Sequence, residues 1–119
     1  MNTVKVGLVS TSWFAELAHI PSIQSHAGAE LVSICGRNRE NAQEVAEKYK
    51  IPKVYTDYRA QIDSNELDAI VIASPDDMHY EMVVYALEAG MHVLCEKPMA
   101  SNVEQARHMV NAAEKASVV

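Results

Sequence analysis

The stretch Gly90-Met91-His92-Val93-Leu94-Cys95-Glu96-Lys97-Pro98 sets an acid and a base side by side after a short apolar run. Val93 to Cys95 is too short for a helix, is opened by a glycine and closed by a proline, and so reads as a buried strand. Ligands of open α/β sheets bind outside the carboxyl ends of the strands. Glu96 and Lys97 therefore stand where a ligand-facing acid and base would stand, with Pro98 stiffening the backbone beneath them. The competing reading is a surface ion pair of little energetic consequence. Two charges directly at a strand end, locked by Pro98, favour the ligand-facing role.

Three other stretches bear on chemistry. Ser10-Thr11-Ser12-Trp13-Phe14-Ala15 occupies the place of a G-x-G-x-x-G/A phosphate turn, with the alanine present and serine at both leading glycines. The glycines of that motif allow close approach of backbone to pyrophosphate. Serine hydroxyls and backbone N–H groups at a helix N-terminus also hold phosphate, which makes Ser10, Thr11, Ser12, Trp13 and Phe14 candidates; the alternative is an N-cap on a core helix. Gly36-Arg37-Asn38 ends the second strand with no acid to take a ribose 2′-hydroxyl. Gly36 leaves room there and Arg37 offers a cation, which suits the 2′-phosphate of NADP over NAD; the alternative is a solvated arginine. Ala73-Ser74-Pro75-Asp76-Asp77-Met78-His79 leads from a strand into a helix and could line a dinucleotide, with His79 either facing the cleft or packing on the first helical turn. His19, His26, His92 and His108 have no visible partners and are assigned nothing.

The elements that would position these residues follow from periodicity. Strands are expected at Val4–Val9, Ala29–Cys35, Val54-Tyr55, Ala69–Ala73 and Val93–Cys95. A helix is expected over Ser10–Ser25, with Trp13, Phe14, Leu17 and Ile20 at helical spacing and a break or kink at Pro21. Further helices are expected over Arg39–Tyr49, with Ala42, Val45, Ala46 and Tyr49 on one face, and over Asp57–Ile62, capped by Thr56. Another runs from a cap at Asp76 or Asp77 through Ala89, ended by Gly90. The last covers Asn102–Ala116, capped by Ser101 or Asn102, and Ser117-Val118-Val119 reads as the start of one more strand. Strands alternating with helices predict a doubly wound, mostly parallel sheet in a three-layer α/β/α arrangement.

Composition bounds the function. At 119 residues the chain is one domain with room for a core, and 49% hydrophobic with 22% charged residues is ordinary for a globular protein. A formal charge of −6 without a Lys/Arg block argues against nucleic acid. No apolar run approaches the ~20 residues of a membrane span, and Met1–Val9 has no signal-peptide h-region, so the cytoplasm is the expected location. Cys35 and Cys95 have no metal-ligand spacing, and no metal site is expected. Their strands would lie three spacings apart, about 14 Å at 4.8 Å each, too far for a disulfide.

Val93-Leu94-Cys95-Glu96-Lys97-Pro98-Met99-Ala100 resembles the E-K-P signature of the glucose–fructose oxidoreductase / inositol dehydrogenase / rhizopine catabolism (Gfo/Idh/MocA) family. Ile72-Ala73-Ser74-Pro75 through His79 is similar to its I-A-T-P-N-x-x-H segment, with Ser74 and Asp76 replacing threonine and asparagine, and Cys35-Gly36-Arg37 matches its second-strand end. The resemblance covers essentially the whole chain. It implies the N-terminal NAD(P)-binding Rossmann domain of an oxidoreductase acting on a sugar or polyol. Glu96 and Lys97 would touch the nicotinamide ribose, and Lys97, the implied catalytic residue, would hold and polarise the substrate. Ser10 to Phe14 would hold the pyrophosphate, and Ala73 to Pro75 would line the cofactor, with His79 beside them. The family's second α/β domain, which supplies the substrate pocket, an Asp/His pair and the oligomer contacts, is absent from residues 1–119. The competing classes are a non-catalytic NAD(P)-binding or sensor module, favoured by Ser10 and Ser12, and a structural remnant of the same core.

Overall fold

The computed structural model describes residues 3–119. In chain order its elements are β1 (Val4–Val9), a π-helical turn (Ala15–His19), α1 (Ile20–Ser25), β2 (Ala29–Cys35), α2 (Arg39–Tyr49), β3 (Lys53–Tyr55), α3 (Tyr58–Asp63), β4 (Ala69–Ile72), a 3₁₀ turn (Asp76–Met78), α4 (His79–Glu88), β5 (His92–Cys95) and α5 (Val103–Ala116). The strands form one parallel sheet in the order β3-β2-β1-β4-β5. The chain winds outward from β1 in one direction, then returns to wind in the other, so the order reverses between β1 and β4.

Strand side chains alternate between the two faces of the sheet, and this divides the core. Val6, Leu8, Leu31, Ile34 and Val71 pack with Ala15, Ile20, Val45 and Ala46 on one face. Val9, Cys35, Ile70 and Ile72 pack with Tyr58, Ile62, Met82, Val83 and Met109 on the other. Leu8, Ile34, Ile70 and Ile72 are fully buried, each worth about 1.5–3 kcal/mol in transfer free energy. The expected α/β/α layering is present.

Several local expectations are corrected. Ser10–Ser25 is not one regular helix: the segment before Pro21 widens into the π turn, where the Ile20 N–H reaches back to Ala15 O. Pro21 lacks an N–H and crowds the carbonyl four residues back; the widened turn accommodates it near the start of α1 without ending the helix. Trp13 and Leu17 are exposed rather than core-facing, whereas Ile20 is buried. Asp57, not Thr56, caps α3, its carboxylate accepting the Arg59 N–H. Neither Asp76 nor Asp77 caps α4 through a side chain, because the 3₁₀ turn precedes that helix. Asn102 caps α5 as one of the two expected residues. Gly90, at φ +84°, takes the left-handed position after α4. Ser117–Val119 is not a strand, although the Val93 N–H donates to Val119 O at 2.9 Å beside β5.

Candidate functional site at the carboxyl edge of the sheet

The sheet register aligns the strand ends. Tyr55, Cys35, Val9, Ile72 and Cys95 pair across all five strands in one row. The next residues, Thr56, Gly36, Ser10, Ala73 and Glu96, therefore form the rim at the carboxyl edge. Each stretch singled out for chemistry begins on that rim.

Between the loops after β1, β2, β3 and β4 lies a cleft of about 730 Å³, lined by Ser10, Thr11, Ser12, Gly36, Arg37, Ala73, Ser74 and Pro75 among others. It sits at the β1/β4 reversal, where ligands of doubly wound sheets bind, and its size suits an organic cofactor. Gly36 is required for its shape: a Cβ there would lie 2.5 Å from Thr11 Cγ2. The Thr11 hydroxyl accepts from Asn41 Nδ2 at 3.0 Å, while Asn38 caps α2 by accepting the Asn41 N–H at 2.9 Å. The loops after β1 and β2 are thereby tied together. The room that Gly36 leaves is filled by Thr11.

The serine turn is internally bonded. The Ser10 hydroxyl donates to Ser12 Oγ at 2.9 Å and accepts the Ser12 N–H at 3.1 Å. Ser12 Oγ in turn accepts the Ala15 N–H at 3.3 Å, which is the helix-capping role set out as the alternative. The capped turn still lines the cleft. Trp13 and Phe14 do not line it. Trp13 is exposed with its ring edge-on to Phe14, and Phe14 is edge-on to His19 at 5.4 Å between centroids.

His79 does not face the cleft. It is 1% exposed, with Nδ1 2.8 Å from Pro98 O and Nε2 2.8 Å from Ser74 O. The ring is a structural clamp between the loops after β4 and β5. Lys97 is exposed, and the Glu96 N–H donates to Ile72 O at 2.9 Å, holding that strap to the end of β4. Glu96 and Lys97 thus stand on the same rim as the cleft but do not line it.

Sequence reasoning missed five contributors. Asp57, Tyr58 and Arg59 line the far side of the cleft, with the Arg59 guanidinium 4.8 Å from the Tyr58 ring centre and paired with Glu81. Only the short β3 signal hinted that a loop ended there. Burial, reinforced by nearby Asp57, pushes the Cys35 thiol at the cleft floor up to about 12, so it is a neutral group at neutral pH. His19, which has no partner visible in the sequence, places its Nε2 3.3 Å from Glu96 Oε1. Its partner lies far along the chain, so no local pattern reveals the contact. Among the described residues no group of three or more His, Cys, Asp or Glu is arranged to hold a metal, and no helix is long and apolar enough to cross a membrane.

A doubly wound parallel sheet with a cleft at its reversal point defines a Rossmann-type nucleotide-binding domain. The Gfo/Idh/MocA model, described as oxidoreductase family, NAD-binding Rossmann fold, matches residues 4–119, and the chain belongs to that family. It is 37% identical over 94% of its length to a D-glucoside 3-dehydrogenase of Escherichia coli, covering 32% of that protein. It is 32% identical over 98% of its length to an NADP(+)-dependent scyllo-inositol 2-dehydrogenase of Bacillus subtilis, covering 35% of it. A 3-ketoreductase from Actinomadura kijaniata, solved with TDP-benzene and NADP, superposes with a TM-score of 0.93 at 26% identity, over 99% of this chain and 37% of that one. The chain spans about a third of the length of the curated relatives it matches.

Proposed function

We propose that this chain is the cofactor-binding domain of an NAD(P)-dependent oxidoreductase acting on a sugar- or polyol-like substrate. The observation that carries the reading is the convergence of Ser10–Ser12, Gly36-Arg37 and Ala73–Pro75 on one cleft at the β1/β4 reversal. The residues fit a dinucleotide: the cleft is large enough, Gly36 permits the tight loop approach, and exposed Arg37 stands on its rim. Ser10 to Ser12 would hold the pyrophosphate, Arg37 the adenosine ribose or its 2′-phosphate, and Ala73 to Pro75 the wall beside it. Glu96 would take the nicotinamide ribose. When bound, the nicotinamide supplies the hydride acceptor or donor. Lys97, exposed on the rim, would bind and polarise the substrate oxygen from its ammonium. The reading assigns the substrate pocket and oligomer contacts to a further α/β domain of a homo-oligomeric, cytoplasmic parent, in keeping with the resemblance and composition.

NADP is favoured over NAD because Arg37 follows Gly36 and no acid takes that place. Titration of intrinsic NADPH and NADH fluorescence tests this. NADPH is expected to bind tighter by about tenfold, an increment of ~1.4 kcal/mol, and Arg37→Asp is expected to invert the order. Equal or NADH-favouring affinities in the unmodified chain would sink the NADP assignment, and no binding of either would sink the cofactor reading.

A second reading, a module that binds NAD(P) without turnover, is favoured by the Ser12 N–H being taken by Ser10. A longer form of the protein that binds NADPH and stays inactive across a sugar and polyol panel would select it.

A further inference from the structure

His19 closes the π-helical turn that follows the serine loop, and Glu96 follows β5. Their strands are not neighbours, since β4 lies between β1 and β5. The contact of His19 Nε2 with Glu96 Oε1, at 3.3 Å, therefore bridges across the end of β4. The imidazole is 13% exposed and the carboxylate 33%. The Nε2 atom is itself buried and has no aligned hydrogen-bond acceptor among the described residues. A buried polar nitrogen without a partner is costly, and a small rotation of the Glu96 side chain removes that cost. The ring also packs edge-on against Phe14.

We propose that His19 is a positioning residue for Glu96. It fixes one carboxylate oxygen and leaves the other to accept from a hydroxyl of the nicotinamide ribose. The inference rests on the reading of Glu96 as the ribose contact. The π turn has a purpose in this account, since such insertions re-aim side chains at functional sites. The Glu96-Lys97-Pro98 strap is then pinned twice: His79 holds its main chain at Pro98 O, and His19 holds its acid. Lys97, between the two, keeps its exposed position.

The test is a binding cycle on the whole chain, with NADPH and with 2′-phospho-ADP, which lacks the nicotinamide riboside. His19→Phe keeps an aromatic ring against Phe14 and removes the nitrogen. It is expected to weaken NADPH about threefold to tenfold, the size of one hydrogen bond, and to leave 2′-phospho-ADP unchanged. His19→Gln, which places an N–H near the Nε2 position, is expected to restore NADPH binding. In a Glu96→Ala background, His19→Phe is expected to have no further effect. Retained 2′-phospho-ADP affinity shows that each variant is folded. Equal losses on both ligands, an undiminished effect without Glu96, or no loss at all would overturn the inference while leaving cofactor binding intact. Binding of neither ligand by the unmodified chain would overturn the cofactor reading and this inference with it.

Discussion

Thr11 fills the space in front of Gly36, so that a Cβ on Gly36 would meet Thr11 Cγ2 at 2.5 Å and Oγ1 at 3.1 Å. Threonine is stiff at χ1, and its hydroxyl is held by Asn41; the neighbour has little room to give. Gly36→Ala is expected to destabilise the fold by about 1–3 kcal/mol, as overpacking does, and to weaken NADPH binding by shifting the Arg37 loop. Thr11→Ser, which removes Cγ2 and keeps the hydroxyl, is expected to recover part of both losses. Urea unfolding and NADPH titration of the two single variants and the double variant measure this. Additive effects would show that the close approach is not what Gly36 provides.

The same pair marks how far the sequence could be read. The strand ends at Cys35 and Cys95, the glycine after one and the acid after the other are adjacent in sequence, so the rim is legible from short apolar runs and their punctuation. Which loops touch is not: Thr11 against Gly36 and His19 against Glu96 join residues far apart in the chain. The π turn is illegible for a physical reason. Pro21 signals disruption, but a helix can end, kink or widen at a proline, and the choice is made by packing of Ala15 and Ile20 against the sheet. His79 was equally open, and only the placement of two carbonyl oxygens at 2.8 Å decides for packing. Asp57 takes the α3 cap from Thr56 by a single residue, within the precision with which any helix boundary can be read.

The serine turn gives a prediction of definite sign. Because the Ser10 hydroxyl occupies the Ser12 N–H, glycine at position 10 frees that donor toward the cleft and removes bulk from it. Ser10→Gly with Ser12→Gly is expected to tighten NADPH binding severalfold. Losing the Ser12 cap to glycine costs only a few tenths of a kcal/mol, with a further loss from the added backbone freedom, so the melting temperature should fall modestly. Weaker binding would show that the hydroxyls themselves hold phosphate, and unchanged binding that the turn does not touch it.

Cys35 predicts an alkaline limb in the stability profile. Burial raises its thiol from the ordinary 9.0 to about 12, so the folded state keeps a proton that the unfolded state releases. The contribution is complete below pH 9 and is lost as pH rises toward 12, at a slope of up to about 1.4 kcal/mol per pH unit. Cys35→Ala is expected to flatten this part of the curve relative to the unmodified chain, although it lowers stability at neutral pH by leaving a small void. Urea midpoints between pH 8 and 10.5 measure the difference. Parallel curves for the two proteins would show that the thiol ionises equally in both states. The half-buried Cys95, raised by burial to about 11, should likewise alkylate slowly with iodoacetamide at pH 8 until the chain is unfolded.

Residues 1–119 alone are expected to catalyse no hydride transfer on a sugar or polyol. Holding a reacting carbon in position supplies roughly 7–11 kcal/mol of such a barrier, and Glu96 and Lys97 form one wall of a site at the sheet edge. A single wall fixes no substrate face and excludes no water. His79, the imidazole nearest in sequence to the cleft, is buried with both nitrogens against carbonyl oxygens and is not placed to carry a proton for Lys97. Lys97 is exposed, so nothing on this sheet edge fixes its side chain against a substrate. Lys97→Ala is therefore expected to reduce NADPH affinity only modestly here and to have no turnover to abolish. In a longer form carrying a substrate domain, the same change is expected to lower kcat far more than cofactor affinity. Following NADPH absorbance across a sugar and polyol panel checks the first claim. Clear turnover by the 119-residue chain, lost in Lys97→Ala, would show that one edge of this sheet already makes a complete site.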